Sequence, residues 1–174
     1  MSSVFNFTFV PWFRSVAPYI HMHRGKTFVV AIAGEAIAAG KLQNLAQDLA
    51  LIQSMGVKIV LVHGFRPQVN EQLQAKGHAP QYSHGMRITD EVALDCAQEA
   101  AGQIRYEIEA AFSQGLPNTP MAGATVRVIS GNFITARPVG IVDGVDFQHS
   151  GLVRRVDVMG ITQTLNAGSL VLLS

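Results

Sequence analysis

The sequence predicts an α/β domain, a three-layer α/β/α sandwich in which a mostly parallel sheet lies between two layers of helices. The central observation is the run Val57–Val62, in which five of six residues are apolar and most are β-branched. Such a run is typical of a strand buried on both faces of a parallel sheet. Further apolar runs alternate with segments of helical periodicity, which is the pattern of an α/β fold.

The first 24 residues form a segment of their own. An apolar arm, Val4–Val10, precedes Pro11 and cannot bury itself alone. A helical stripe follows, with the spacing i, i+3, i+4, i+7 at Phe13, Val16, Ala17 and Ile20. Pro18 lies inside this stripe and predicts a kink or two short helices. We therefore divide the chain into residues 1–24, an arm with a kinked helix, and residues 25–174, the α/β domain.

The first half of the α/β domain alternates strand and helix. A buried strand is predicted at Thr27–Ile32 and the central strand begins at Val57. Between them an amphipathic helix presents Leu42, Leu45, Leu49 and Ile52, and Gly56 is placed to end it. After the central strand, a helix from Pro67 to Lys76 turns Val69 and Leu73 inward and ends at Gly77.

The second half begins with a long helix and continues with short strands. Thr89 or Asp90 is placed to cap a helix that runs to about Ser113. Its predicted inward residues are Val92, Cys96, Ala100, Ile104, Ile108 and Phe112. Beyond a loop at 115–123, the predicted elements are strands at Thr125–Ile129 and Phe133–Arg137, a hairpin turn at Asp143-Gly144, a helix over Asp157–Asn166 and a last strand at Ser169–Leu173.

Composition excludes several classes of function. The net charge is +1 and the chain contains no basic run, so nucleic acid is not an expected partner. A single cysteine, Cys96, fits a reducing compartment. No apolar run approaches the ~20 residues that cross a bilayer, and the start lacks the features of a signal peptide. We therefore expect a cytoplasmic protein. The mean hydropathy of +0.24 indicates a large core or an apolar surface that meets a partner.

The spacing of the histidines and the cysteine does not predict a metal site. His21 and His23 are two residues apart and do not share a helix face, and the other four histidines lack ligand spacing. A zinc site needs three or four converging ligands, so we expect no metal. Cys96 lies on the apolar stripe of a helix, which favours a core position over a nucleophile.

The chemistry that the sequence can support lies at the turn after the central strand. Gly64 ends the strand, and Pro67 suits the first turn of the next helix. In open α/β folds this carboxyl edge of the sheet binds ligands, and a helix N-terminus favours anions.

Several stretches in order along the chain match one family. They are 13–20 (FRSVAPYI), 24–27 (RGKT), 62–68 (VHGFRPQ), 86–90 (MRITD), 128–133 (VISGNF), 142–146 (VDGVD) and 150–157. On these residues the chain resembles the amino-acid kinase fold family, and within it the N-terminal domain of the N-acetylglutamate synthases. The resemblance covers nearly the whole chain. It implies that residues 25–174 are the N-terminal part of a kinase-like domain, followed in full-length members by the rest of that domain and a GNAT acetyltransferase domain.

The resemblance also implies a function. Members of this family transfer acetyl from acetyl-CoA to the amino group of glutamate, which opens arginine biosynthesis, and arginine controls them through the kinase-like domain. Catalysis and acetyl-CoA binding would lie in the missing domain, so we expect no catalytic residue in this segment. In arginine-sensitive relatives a kinked N-terminal helix links dimers into hexamers, which implies a homo-oligomer here.

Compared with the related acetylglutamate kinases, the chain lacks features of phosphoryl transfer. Those kinases carry a lysine in the first strand, where this chain has Ala31, and Ala33 replaces one of two glycines that follow. Their run of three glycines after the central strand is reduced to Gly64, followed by Phe65, Arg66 and Pro67. Pro67 has no N–H to offer a phosphate. Loss of a cation and of backbone donors removes the electrostatic stabilisation on which phosphoryl transfer depends.

A vestigial anion site is the remaining hypothesis for this turn. Arg87 matches the position at which the kinases hold a substrate carboxylate, and Arg66 lies at a helix start. Together with the Gly64 backbone, these two residues could bind an anion. The alternative is structural, with Arg87 paired to an acid such as Asp90 and Arg66 solvated.

Three functions therefore compete. The chain is a regulatory and assembly portion of an N-acetylglutamate synthase, an active amino-acid kinase of the acetylglutamate kinase type, or a non-catalytic amino-acid-binding module. Ala31 and the turn at Phe65–Pro67 argue against the kinase. The chain ends at Ser174, at the tip of a predicted strand, so we expect a fragment of a longer protein.

Overall fold

The computed structural model describes residues 5–114 and 122–174. Within these ranges the helices are α1 Phe5–His23, α2 Gly34–Ala38, α3 Leu42–Ser54, α4 Arg66–Ala75, α5 Glu91–Ser113 and α6 Val158–Asn166. The strands are β1 Thr27–Ile32, β2 Lys58–His63, β3 Gln81–Ser83, β4 Met86–Ile88, β5 Val128–Ser130, β6 Ile134–Pro138, β7 Ile141–Val142, β8 Val145–Asp146, β9 Gly151–Val156 and β10 Leu170–Leu173.

The main sheet is parallel, and β2 lies inside it. Its order is β1-β2-β10-β5 across the described residues. Val60 on β2 faces Val29 on one side and Val171 on the other, and all three strands run in the same direction. The apolar run at 57–62 therefore forms the buried central strand that the sequence predicts.

Alternate residues of β2 point into two different helical layers. Ile59 and Leu61 contribute to a core that α3 and α5 complete with residues such as Leu49 and Ile108. Val60 points the other way, into a smaller core that includes Leu165 of α6. The three-layer arrangement is thus confirmed. The second layer is incomplete over β1, because Val29 remains 70% exposed.

Helix α5 follows the predicted stripe with one correction. Asp90 caps the helix, since its Oδ1 accepts a hydrogen bond from the Ala93 N–H at 2.8 Å. This bond, aided by His78, lowers the pKa of the Asp90 carboxyl although partial burial opposes the shift. The five predicted inward residues from Cys96 to Phe112 are buried. Val92 was predicted to face inward and is 37% exposed, because the buried stripe passes through Ala93 instead.

The N-terminal segment differs from the prediction of an arm. Helix α1 begins at Phe5, so residues 5–10 belong to the helix, and both Pro11 and Pro18 lie within it. Residues 1–4 and the side chains of 5–8 lie outside what the structure describes. At the other end, Val16 and Ile20 line a small apolar groove with Phe28 of β1. Most of the predicted loop at 115–123 also lies outside the described residues.

The other differences between the predicted and the observed elements concern short strands and turns. The predicted strands at Thr125–Ile129 and Phe133–Arg137 are shifted, to β5 and β6. The polar segment after α4 contains an unpredicted hairpin, β3–β4, whose turn places His84 and Gly85 at positive φ. The predicted turn at Asp143-Gly144 is confirmed between β7 and β8. In the described ranges no helix is long and apolar enough to cross a bilayer.

Candidate functional site

The turn after β2 packs directly against the end of β1. The Gly64 N–H donates to the Ile32 carbonyl at 2.9 Å, which extends the β1–β2 ladder by one bond. Gln68 of α4 donates from Nε2 to the Gly34 carbonyl, also at 2.9 Å. A Cβ on Gly34 would lie 2.8 Å from both Pro67 Cδ and Gln68 Oε1. The two strand ends are therefore in close contact, with side chains of α4 filling the space above Gly34.

This packing reduces the number of backbone N–H groups that the turn can donate to an anion. Gly64 was predicted to contribute its backbone to an anion site, but its N–H is already bonded to Ile32. Pro67, at the second position of α4, has no N–H. The backbone donors of this turn are thus reduced, and any anion site must depend on side chains.

A cavity of about 460 Å³ lies beside the turn and brings the predicted site residues together. Gly64, Arg66 and Arg87 all line it. Its remaining walls come from α4, from the β3–β4 hairpin, from α5 and from the segment His149–Gly151. Much of the lining is apolar, including Val69 and Met86.

The two arginines of this cavity share one aromatic side chain. The guanidinium carbon of Arg66 lies 4.6 Å from the centroid of the Tyr82 ring, and that of Arg87 lies 5.0 Å from it. A ring at this distance attracts a cation by its quadrupole, by about 0.5–1 kcal/mol at exposed sites. Tyr82 thus holds both cations beside the cavity. Sequence reasoning missed Tyr82, because the hairpin that carries it was not predicted.

Hydrogen bonds to neutral groups orient both guanidinium groups. Arg87 donates from Nη2 to Asn70 Oδ1 at 2.7 Å, and Tyr82 donates from Oη to the same oxygen at 2.9 Å. Arg66 donates from Nη2 to the Gly85 carbonyl at 3.2 Å. Arg87 Nη1 is shielded from solvent and has no hydrogen-bond partner among the described residues. One donor group of Arg87 is therefore unsatisfied among the described residues.

The alternative pairing of Arg87 with Asp90 is wrong. Asp90 Oδ2 lies 2.7 Å from His78 Nε2, and its other oxygen caps α5. Across residues 5–114 and 122–174, neither Arg66 nor Arg87 forms an ion pair with a carboxylate. Both positive charges therefore remain uncompensated by the described chain.

Hydroxyl groups on the opposite wall are used within the fold. Ser150 donates from Oγ to the Arg87 carbonyl at 2.6 Å, and Thr89 Oγ1 lies 2.8 Å from Ser150 Oγ. The His149 N–H donates to the Thr89 carbonyl at 3.0 Å. These bonds tie β4 to the segment that precedes β9 and fix the backbone of Arg87.

The other candidate residues take structural positions. His63 is only 3% exposed, and burial lowers the pKa of its imidazole despite an opposing contact with the Gly64 backbone. It does not line the cavity. Cys96 is buried in the contact between α4 and α5, as the sequence predicts. The described ranges contain no group of three or more metal-ligating side chains.

A parallel sheet between helical layers, with a ligand-sized cavity at the carboxyl end of its central strand, defines an α/β/α domain of the kind that binds small metabolites. The family model for the amino acid kinase family matches residues 26–174, and the chain belongs to that family.

Two similar curated proteins are amino-acid acetyltransferases. The chain is 58% identical over 166 residues to the amino-acid acetyltransferase of Ralstonia nicotianae, covering 95% of this chain and 37% of that protein. It is 52% identical over 164 residues to the amino-acid acetyltransferase of Vibrio cholerae, covering 94% and 37%. The chain thus spans little more than a third of the length of these relatives.

Solved structures agree on the fold. N-acetylglutamate synthase from Neisseria gonorrhoeae, complexed with coenzyme A and L-arginine, superposes with a TM-score of 0.84 at 38% identity, over 95% of this chain and 39% of that one. The smu.665 protein of Streptococcus mutans has a TM-score of 0.62 at 15% identity, over 86% of this chain and 58% of that one, and this likeness concerns the fold alone.

Replacing Gly34 by alanine tests the close packing of the strand ends. Gly34→Ala is expected to lower the free energy of unfolding by about 1–3 kcal/mol, because the new methyl group overlaps Pro67. Gly102→Ala is the control, since Gly102 lies in α5 with nothing near its Cβ, and it should raise stability by about 0.5–1 kcal/mol. Urea unfolding of both variants measures the difference. Equal midpoints for Gly34→Ala and the unsubstituted protein would contradict the packing.

Proposed function

We propose that the chain is the N-terminal regulatory and assembly portion of an amino-acid acetyltransferase of the N-acetylglutamate synthase type. The whole protein would transfer acetyl from acetyl-CoA to L-glutamate in the first step of arginine biosynthesis, under feedback control by arginine. The observation that carries the proposal is the 58% identity to the Ralstonia nicotianae enzyme along 95% of the chain. The proposed location is the cytoplasm, which suits a chain with one buried cysteine.

The proposal assigns acetyl transfer to a part of the protein outside this chain. The chain covers 37% of the R. nicotianae enzyme, and the described residues hold a kinase-type fold. Acetyl-CoA would bind in that other part, and no residue of this chain is assigned a catalytic role. Residues 25–174 would then be the N-terminal part of a kinase-like regulatory domain.

Phosphoryl transfer is the less favoured function on the geometry of the turn. Gly64 has no free N–H, Pro67 lacks one, and Ala31 supplies no cation. Phosphoryl transfer depends on such donors and cations to stabilise the charge of the transition state. An inactive kinase fold therefore suits a regulatory role better than an ATP-dependent one.

For the cavity we propose binding of an amino-acid-sized carboxylate. Its volume of about 460 Å³ lies in the range of small-molecule sites. Arg66 and Arg87 line the cavity with two charges that no described carboxylate neutralises, and a guanidinium group binds a carboxylate strongly. This feature also favours the second candidate function, an amino-acid-binding module without catalysis.

For residues 1–24 we propose a role in assembly of a homo-oligomer, a hexamer formed through α1. The helix exposes large apolar side chains, namely Phe9, Val10, Trp12, Phe13, Tyr19 and Met22. Phe9 stacks on Phe13 with ring centroids 5.9 Å apart. Burial of this surface against a second copy would remove it from water, which is the main favourable term in association.

Activity of the complete coding sequence tests the leading function. The polypeptide translated from it is expected to form N-acetylglutamate from acetyl-CoA and L-glutamate, and the 174-residue chain alone is expected not to. Neither should form ADP from ATP in the presence of N-acetylglutamate. Formation of ADP and N-acetylglutamyl phosphate by the chain would establish the kinase alternative. A coding sequence that ends at Ser174 would favour the amino-acid-binding module instead.

Calorimetry tests the carboxylate site. The 174-residue chain is expected to bind N-acetylglutamate or L-glutamate at millimolar concentration or below. Arg87→Ala should weaken binding by about 10-fold or more, since a hydrogen bond to a charged group contributes about 1.5–3 kcal/mol. Arg155→Ala is the matched control, because Arg155 is exposed on β9 away from the cavity lining. Absence of heat at millimolar ligand would rule out the site.

Deletion of the N-terminal segment tests assembly. The chain is expected to self-associate, and removal of residues 1–24 should lower its oligomeric order because the exposed face of α1 is lost. Light scattering coupled to gel filtration measures the mass of both forms. A monomer with α1 intact would contradict the proposal.

A further inference from the structure

Asn70 accepts hydrogen bonds from two of the side chains that line the cavity, Tyr82 and Arg87. It lies on α4, one helical turn after Arg66, so the two residues share a face of the helix. Tyr82 and Arg87 are direct cross-strand partners in the β3–β4 hairpin. Both donate to the same oxygen, Asn70 Oδ1, at 2.9 and 2.7 Å. A single amide therefore joins the hairpin to α4 and orients Arg87.

The acceptor of both hydrogen bonds is a neutral amide oxygen. A guanidinium group that meets a fixed acceptor in a protein forms its strongest bond with a carboxylate. A carboxylate here would accept the same two hydrogen bonds, but it would also neutralise the charge of Arg87. An amide oxygen orients the guanidinium group and leaves its net charge intact. The neutrality of residue 70 therefore preserves the positive charge of the cavity.

We propose that Asn70 is a positioning residue that sets the charge selectivity of this cavity for anions. The proposal rests on the carboxylate site proposed above. Asn70 holds one edge of the Arg87 guanidinium group through Nη2, and no carboxylate of the described chain pairs with its charge. The neutral amide thus fixes the orientation of Arg87 without competing for its charge.

Asn70→Asp separates this role from a purely structural one. The substitution keeps the shape of the side chain and both hydrogen bonds, and the new ion pair with Arg87 should leave the urea midpoint unchanged or raised. The added negative charge repels a bound carboxylate, and at a separation of about 8 Å and an effective dielectric constant of about 20 this repulsion weakens binding on the order of 30-fold. Asn70→Asp should therefore weaken carboxylate binding without lowering the stability of the fold.

Two further variants complete the test. Asn44→Asp is the same chemical change at an exposed position of α3 and should bind like the unsubstituted protein. Asn70→Ala removes the hydrogen bonds but adds no charge, and it should lose less affinity than Asn70→Asp. A structural role alone predicts the reverse order, because alanine loses both bonds and aspartate keeps them.

The measurement is calorimetric titration of the 174-residue chain with N-acetylglutamate, together with urea unfolding of each variant. A loss on the order of 30-fold in Asn70→Asp, with a urea midpoint at least that of the unsubstituted chain, is the expected result. Equal affinity of Asn70→Asp and the unsubstituted chain would overturn the role of Asn70 and leave the carboxylate site standing. Absence of binding by the unsubstituted chain would overturn the site and, with it, this inference.

Discussion

The hydrogen bond from the Gly64 N–H to the Ile32 carbonyl is the constraint from which the site follows. It draws the end of β2 against the end of β1, so the turn that follows has little room above Gly34. Pro67 and Gln68 fill that room, and α4 must begin where they lie. Arg66, the first residue of α4, is therefore fixed at the wall of the cavity. A different turn would place this cation elsewhere.

The hydrogen bond between Gly64 and Ile32 also bears on whether the turn suits a phosphate or a carboxylate. A turn with free backbone N–H groups suits phosphate, which needs several converging donors. A closed turn beside two arginines suits a carboxylate, which binds a guanidinium group through two oxygens. In the proposed function the kinase-type fold would be retained while the chemistry at its sheet edge would differ. Side chains from α4 and from the β3–β4 hairpin replace the backbone as the source of positive potential.

The sequence predicts the main sheet well because the signals are long and regular. The run at 57–62, the stripe of α5 and the glycine at the end of α3 each specify an element through burial or backbone geometry. The β3–β4 hairpin was missed because each of its strands has only three residues, which is too short for a periodic signal. The pairing of Arg87 was also missed, because its partner Asn70 is 17 residues distant and becomes a neighbour only when the hairpin folds onto α4. Long-range polar contacts of this kind have no periodic signature.

Helix α1 carries one more feature with a practical consequence. Trp12 is the only tryptophan of the chain, and it is 58% exposed. The indole emission of the protein therefore comes from one surface, that of the N-terminal helix, with no second fluorophore of this type to obscure it. A shift of this emission to shorter wavelength would report that α1 has entered a drier environment, independently of events at the distant sheet edge. The fluorescence of Trp12 can therefore serve as an intrinsic probe of the surface of α1.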